Sequence, residues 1–158
     1  MNKPIALVAI AIIAYLVFGR ADTLESGILK VQNRGEFDVA TATVGGNCYQ
    51  ERCLTIYVAP WCPACQKAKK TIVSLTKELQ KEGVDVKVIV GTDSPEATVK
   101  YAKGYPFPVY LDADSSFYKK ADQPGVPFYL VTDKNGKITN SEIGGYLNVK
   151  VMREKLEI

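Results

Sequence analysis

Two cysteines separated by two residues, Cys62 and Cys65, are the side chains of this sequence best suited to covalent chemistry. They lie in the stretch "APWCPACQKAKK", residues 59–70. A cysteine thiolate can attack a disulfide, and a second thiol close by can displace the product and close a new disulfide. The same spacing also occurs in zinc sites, and buried cysteines can be inert packing residues, so the surrounding sequence has to discriminate among three uses.

The sequence on either side of the pair predicts a strand followed by a helix. The run "CLTIYVA", residues 53–59, is short, apolar and rich in β-branched residues, which is typical of a buried strand. After the pair, apolar residues recur at spacings of four, three and four and define one face of a helix: Ala68, Ile72, Leu75 and Leu79. Cys62 is therefore expected at the amino terminus of this helix, where unpaired N–H groups and the helix dipole favour the thiolate.

This placement assigns different roles to the two thiols. We predict that Cys62 is the exposed attacking cysteine, and that Cys65, one turn further along the helix, is shielded and resolves the mixed disulfide. Pro63 suits the first helical position, where an N–H group is not needed. The dipeptide of Pro63 and Ala64 brings no charge to the pair.

The composition argues against metal and cofactor chemistry. The chain has no histidine, which excludes Cys–His catalysis, histidine-containing zinc sites and haem attachment of the Cys-x-x-Cys-His kind. A four-cysteine zinc site would need Cys48 and Cys53, but Cys53 begins the predicted strand and would lie ~20 Å from Cys62 at about 3.3 Å per residue. We therefore predict a redox pair with neither metal nor cofactor.

The second cysteine pair, Cys48 and Cys53, lies in "GGNCYQERCLT". In a straight strand their Cα atoms would be about 16 Å apart, too far for a disulfide, whereas a turn at residues 49–52 would bring them together. We expect a structural disulfide that fixes this turn, because such bridges are common outside the cytoplasm. A second redox pair and two free thiols are the alternatives.

The order of strand and helix patterns along the 158 residues predicts an α/β fold with a central mixed sheet and helices on both faces. Strands are predicted at residues 36–44, 53–59, 84–91, 107–112, 126–132 and 137–145, and helices after the cysteine pair, at 94–104, at 114–121 and after Asn148. The net charge of +3 comes from scattered lysines rather than one basic face, which argues against a nucleic-acid partner.

An uncharged apolar run at residues 5–18 follows Lys3 and predicts an N-terminal apolar helix. Such a helix would be roughly 21 Å long at 1.5 Å per residue, which fits a short membrane anchor or a signal peptide. We predict an anchor that contacts the membrane through residues 4–19 and leaves the domain outside the cytoplasm, whereas cleavage near Gly19 would release a secreted form. The expected organisation is an anchor at 1–20, a tether at 21–35 and a folded domain at 36–158.

Two motifs give the sequence a family resemblance. With "WCPAC" between strand and helix and "GVPFYLV" at residues 125–131, the chain resembles the thioredoxin superfamily. The stretch "FPVYLDADSSFYKKADQPGVPFYLVTDKNGKI" is similar to a narrower group, the membrane-anchored extracytoplasmic proteins of TlpA and ResA type. The resemblance covers residues 35–158 and implies a thioredoxin-like fold.

The resemblance also implies a role for each residue that matches the two motifs. Cys62 matches the nucleophile and Cys65 the resolving cysteine, Trp61 matches the flanking aromatic residue, and Pro127 matches a cis-proline that faces the pair. Trp61, Pro63, Val126 and Pro127 would then form a groove that binds an extended substrate strand through backbone groups. Trp61 as a packing residue of a loop is the alternative.

The function implied is reduction of disulfides in cysteine-containing exported proteins in the bacterial periplasm, with a membrane thiol–disulfide electron donor as the upstream partner. The direction of electron flow stays open, because Pro63 and Val126 are similar to the residues of DsbA-like oxidants. A disulfide isomerase and a redox-inactive, peptide-binding chaperone are further alternatives. One position departs from the pattern, since Ile56 stands where many thioredoxins carry a buried acid.

Overall fold

A computed structural model describes residues 28–31, 35–38, 50–134 and 136–158. The predicted apolar helix at residues 1–20 and Cys48 lie outside the described residues. Among the helices that are described, none combines the length and the apolar character that crossing a bilayer requires.

One mixed sheet of seven strands forms the centre of the described structure. The strands are β1 (Ile28–Val31), β2 (Gly35–Asp38), β3 (Arg52–Val58), β4 (Asp85–Gly91), β5 (Tyr110–Asp112), β6 (Phe128–Asp133) and β7 (Ile138–Ile143). Their order across the sheet is β2-β1-β5-β4-β3-β6-β7. Strand β3 runs parallel to β4 and antiparallel to β6, so the strand that leads into the cysteine pair is paired on both sides.

Four helices are described. They are α1 (Pro63–Lys81), α2 (Pro95–Ala102), α3 (Ser116–Ala121) and α4 (Val149–Leu156). The Ser94 side chain accepts from the Ala97 N–H at the start of α2, and Asn148 does the same for Val151 at the start of α4. The stripe predicted on α1 is confirmed, since its four apolar residues are fully buried.

The alternation of side chains along β3 divides the interior into two clusters. On one face, Ile56 and its neighbours pack with α1, with Met152 and Leu156 of α4, and with residues of α2. On the other face, Tyr57 stacks between Phe117 of α3 and Phe128 of β6, with ring centroids 6.0 and 5.0 Å away. The prediction of a mixed sheet covered on both faces is therefore confirmed, and the cysteine pair belongs to the first face.

The second face contains a buried carboxylate, Asp112, at the end of β5. Its oxygens accept from the Tyr57 hydroxyl at 2.7 Å, the Phe117 N–H at 3.1 Å and the Tyr118 N–H at 3.0 Å. The carboxylate thus joins the central strand to the first turn of α3. A Cβ atom at Gly91 would collide with the Tyr57 hydroxyl, so this position of β4 requires glycine.

The structure differs from the sequence predictions at the start of the domain. Residues 21–35 were expected to form an irregular tether, but residues 28–31 form β1, which pairs antiparallel with both β2 and β5. The unpaired edge of β5 provides hydrogen-bonding groups that these residues satisfy. The strand predicted at 36–44 is described only as β2, and residues 39–49 lie outside the described residues.

Candidate active site

Cys62 occupies the N-cap position of α1, as the sequence predicts. Its backbone is extended, with φ −81° and ψ 115°, and its N–H donates to the Ala59 carbonyl at 3.2 Å. The Cys62 sulfur accepts from the Cys65 N–H at 3.2 Å. A sulfur in this position receives an N–H that the helix would otherwise leave unpaired, and a thiolate accepts such a bond better than a thiol does.

The prediction that Cys62 is exposed is wrong, because the residue is only 4% exposed. The Val126 carbonyl covers it from the opposite side and accepts from the Cys62 thiol at 3.3 Å. The sulfur therefore lies between the start of α1 and the segment that precedes β6.

Cys65 lies behind Cys62 and is completely buried. Its sulfur accepts from the Ala59 N–H at 3.5 Å. Burial, reinforced by the interaction with Cys62, raises the pKa of the Cys65 thiol far above its ordinary value. The two thiols therefore differ as the sequence predicts, with Cys65 in the shielded position and Cys62 nearer the surface.

The segment opposite the cysteines is Val126 and Pro127, joined by a cis peptide bond. The Pro127 carbonyl accepts from the Gly144 N–H at 3.0 Å, which ties this segment to the residue that follows β7. The fold thus places the predicted groove residue Val126 in contact with Cys62, 64 positions earlier in the sequence, and Pro127 follows directly.

Trp61 and Pro63, the residues on either side of Cys62, are both exposed. Trp61 is 58% exposed, and its indole N–H donates to the Thr92 carbonyl at 2.7 Å. Thr92 follows β4 and has a positive φ of 55°. Trp61 is therefore a largely exposed residue that a hydrogen bond holds in place, and its part in a substrate groove stays a prediction.

Gly145 is a site residue that the sequence analysis missed. A Cβ atom on Gly145 would lie 2.9 Å from the Ala64 carbonyl oxygen and 3.1 Å from the Ala64 Cβ. The backbone after β7 thus touches the dipeptide between the two cysteines, and only glycine leaves room for this approach. The pair of adjacent glycines at 144 and 145 was the available signal.

We expect Gly145→Ala to shift the loop between the cysteines. Overpacking of this kind should lower the free energy of unfolding by about 1–3 kcal/mol and slow thiol exchange, because Ala64 must move. Denaturant unfolding and exchange with a small disulfide measure the two effects. Gly125→Ala is the matched control, since the nearest atom to its Cβ would be 3.9 Å away. If both variants lost the same stability and exchanged thiols at the same rate, the contact between Gly145 and Ala64 would not be the cause.

The second pair is described only in part. Cys53 is disulfide-bonded, and Cys62 and Cys65 are free thiols. Cys48 lies outside the described residues, so the pairing of Cys48 with Cys53 stays a prediction. No group of three or more metal-ligating side chains occurs within the described ranges.

The fold and the two free thiols at the start of α1 define a thioredoxin-like thiol–disulfide oxidoreductase. A redoxin family model matches residues 48–156, and the chain belongs to the redoxin family. A comparison with curated proteins finds no match.

Several solved structures share the fold. A secreted disulfide oxidoreductase of Mycobacterium tuberculosis, homologous to E. coli DsbE, has a TM-score of 0.62 at 16% identity and covers 87% of this chain and 98% of its own. StoA from Bacillus subtilis has a TM-score of 0.58 at 17% identity, with 80% and 92% covered. An exposed lipoprotein thioredoxin of Streptococcus pneumoniae has a TM-score of 0.63 at 16% identity, with 84% and 98% covered. The predicted thioredoxin-like fold is thereby confirmed.

Proposed function

We propose that the protein reduces disulfides of exported proteins outside the cytoplasm, with Cys62 as the nucleophile and Cys65 as the resolving cysteine. The observation that carries the proposal is the contrast between the two thiols. The Cys62 sulfur receives an amide N–H at the start of α1, whereas the Cys65 sulfur is enclosed and strongly favours its proton. Such a pair attacks in a fixed order.

The reaction has two exchange steps. The Cys62 thiolate attacks one sulfur of the substrate disulfide, and the other sulfur leaves with the electron pair and takes up a proton. Cys65 then loses its proton and attacks the Cys62 sulfur, which releases the second substrate thiol. The substrate gains two electrons, and the protein is left with a Cys62–Cys65 disulfide that a membrane-bound thiol donor must reduce.

The surroundings of Cys62 suit an extended peptide. The Val126 carbonyl contacts the Cys62 thiol in the free protein, and a substrate strand would displace this contact and pair with the Val126 backbone. Trp61 and Pro63 present exposed apolar surface on either side of Cys62. Substrate recognition would thus depend on backbone pairing and on one aromatic residue, which permits many different cysteine-containing substrates.

The extracytoplasmic location is supported by the sequence and by related structures. Residues 4–19 provide an apolar run for anchoring to the inner membrane, or for export with cleavage near Gly19. One structural neighbour is described as secreted and another as an exposed lipoprotein. We propose the TlpA and ResA group as the place of this protein among its relatives, with a membrane thiol–disulfide protein as its electron donor.

A thiol oxidant is the second candidate, and one observation favours it. The Cys65 N–H bond to the Cys62 sulfur stabilises the reduced form, and a couple whose reduced form is stabilised is more oxidising. The reduction potential of the Cys62–Cys65 couple separates the two directions. We expect a value near about −270 mV, whereas a value near about −120 mV would overturn the assignment as a reductant.

Activity itself is tested by reduction of insulin disulfides with dithiothreitol as the electron source. We expect turnover by the full chain that exceeds the rate of dithiothreitol alone. Absence of turnover by the wild-type protein would favour the redox-inactive peptide-binding module over the enzyme.

A further inference from the structure

The buried hydroxyls of Tyr101, Tyr105 and Tyr129 make no hydrogen bond of good geometry among the described residues, although those of Tyr101 and Tyr105 lie close enough to interact with each other. A buried hydroxyl without a partner is costly, and such groups normally bind internal water or serve a function. The side chains of Tyr105 and Tyr129 are 7% and 0% exposed. We call these three residues the tyrosine cluster.

The tyrosine cluster lies on the cysteine face of the sheet. Tyr129 of β6 is the direct cross-strand partner of Ile56 in β3, and directly opposed residues of neighbouring strands project to the same face. Tyr105 and Tyr129 belong to the same buried cluster as Cys65, and Tyr101 packs against it. Tyr129 therefore lies directly beside Ile56, the position at which many thioredoxins carry a buried acid, and projects to the same face of the sheet.

The outer part of the cluster is organised by Lys69. The Tyr101 and Tyr105 rings lie 6.0 Å apart, and the Lys69 ammonium is 4.2 Å from the first ring centroid and 4.5 Å from the second. Lys69 also donates to the Tyr101 carbonyl at 3.1 Å. A cation in this place keeps both rings fixed and lends positive potential to the interior. Tyr101 is partly exposed although its hydroxyl is buried, so the outer edge of the cluster lies close to the surface.

Electrostatics link the cluster to Cys65. Burial raises the pKa of Tyr101 to about 12 and raises those of Tyr105 and Tyr129 further, and the charge of Cys65 is a secondary cause in all three. The hydroxyls are therefore within electrostatic reach of the Cys65 sulfur and keep their own protons at neutral pH. They can donate hydrogen bonds to a thiolate and can pass a proton on.

The resolving step needs such a route. Cys65 must lose its proton before it can attack, and residues 53–65 contain no acid. The titratable groups that interact electrostatically with Cys65 are Cys62 on its own helix and the three tyrosines. Behind them lie Lys69 and Tyr146, and the Tyr146 hydroxyl is already bound to Glu142 at 2.7 Å.

We propose that the hydroxyls of Tyr101, Tyr105 and Tyr129, with the water they bind, carry the proton of Cys65 to the surface during the resolving step. This inference rests on the proposed function. It makes the three tyrosines positioning and proton-transfer residues that act through Cys65.

The Cys65 thiol gives its proton to the hydrogen-bonded chain, each hydroxyl accepts one proton and passes on its own, and one proton reaches solvent near Tyr101. The electron pair of the Cys65 sulfur forms the bond to the Cys62 sulfur. The bond between Cys62 and the substrate sulfur breaks, and its electron pair leaves with the substrate sulfur, which takes a proton from solvent.

The test separates attack from resolution in the full chain. Glutathione disulfide reacts first with Cys62, and the rate of this attack is measured alone in a Cys65→Ser background. Resolution is followed by acid quenching and mass spectrometry of the glutathionylated intermediate. In the double variant Tyr105→Phe, Tyr129→Phe we expect resolution about tenfold slower at neutral pH, with its pH profile displaced upwards by about one unit, while attack stays within about twofold.

Tyr146→Phe is the control, because it removes a neighbouring, half-buried hydroxyl that is already bound to Glu142. It should leave both rates unchanged. An unchanged resolution rate and pH profile in the double variant, or an equal loss in both steps, would overturn the role of the tyrosines.

A second measurement does not depend on turnover. In a Cys62→Ala background, the pH dependence of Cys65 alkylation should move upwards when the two tyrosines are replaced, and no movement would overturn the proposal. A wild-type protein that fails to react with glutathione disulfide would instead contradict the proposed function, so the two failures are distinguishable.

Discussion

Cys62→Ser should abolish disulfide reduction, with a loss on the order of 1,000-fold or more in insulin turnover. A serine hydroxyl at the N-cap can still accept the Cys65 N–H, so the helix start is preserved while the nucleophile is lost. Cys65 cannot take over the attack, because its sulfur is completely buried and strongly protonated. Insulin reduction and the folded-state circular dichroism spectrum together check this result.

Cys65→Ser is the matched variant, and it should block the second exchange step rather than the first. Attack by Cys62 remains, but the mixed disulfide has no resolving thiol, so adducts with substrate proteins should accumulate and be recovered under non-reducing conditions. Reducing agent should release them. A Cys62→Ser protein that keeps turning over, or a Cys65→Ser protein without adducts, would reverse or remove the roles assigned to the two thiols.

The second large effect concerns stability rather than catalysis. Asp112→Ala should lower the free energy of unfolding by about 3–5 kcal/mol, because the Tyr57 hydroxyl and the N–H groups of Phe117 and Tyr118 would lose a charged acceptor inside the protein. That is a large part of the roughly 5–15 kcal/mol that stabilises a domain. Urea unfolding monitored by circular dichroism measures the change.

Asp114→Ala serves as the control for Asp112→Ala. Asp114 lies two residues away, is exposed, and accepts from the Ser116 N–H at 3.0 Å. Its removal should cost about 1 kcal/mol or less, since solvent can replace that bond. If both substitutions had the same small effect, the buried carboxylate would not be the link between β3 and α3 that we describe.

The part of the site that is local in sequence could be predicted from sequence. The positions of Cys62 and Cys65 follow from a strand, a spacing of two residues and an amphipathic helix, and the structure places both at the start of α1. The periodicity along α1 predicted its buried face for the same reason, because it depends only on the geometry of one helix.

The features that escaped prediction depend on contacts between distant segments. Gly145 approaches Ala64 across 81 positions, and nothing near either residue indicates the contact. The Val126 carbonyl that covers Cys62 comes from 64 positions away, which is why the sequence overestimates the exposure of Cys62. Strand β1 was missed because its four residues gain their structure by completing the edge of β5 rather than from their own pattern.

The sulfur of Cys62 is at once a reactive atom and the cap of α1. By thermodynamic linkage, any free energy that the helix end contributes to the reduced sulfur also appears as a difference in conformational stability between the dithiol and disulfide forms. The redox state of the pair and the conformational stability of α1, the longest described helix, are therefore coupled. Folding and oxidation of the cysteine pair form one thermodynamic cycle, so three of its four free energies determine the fourth.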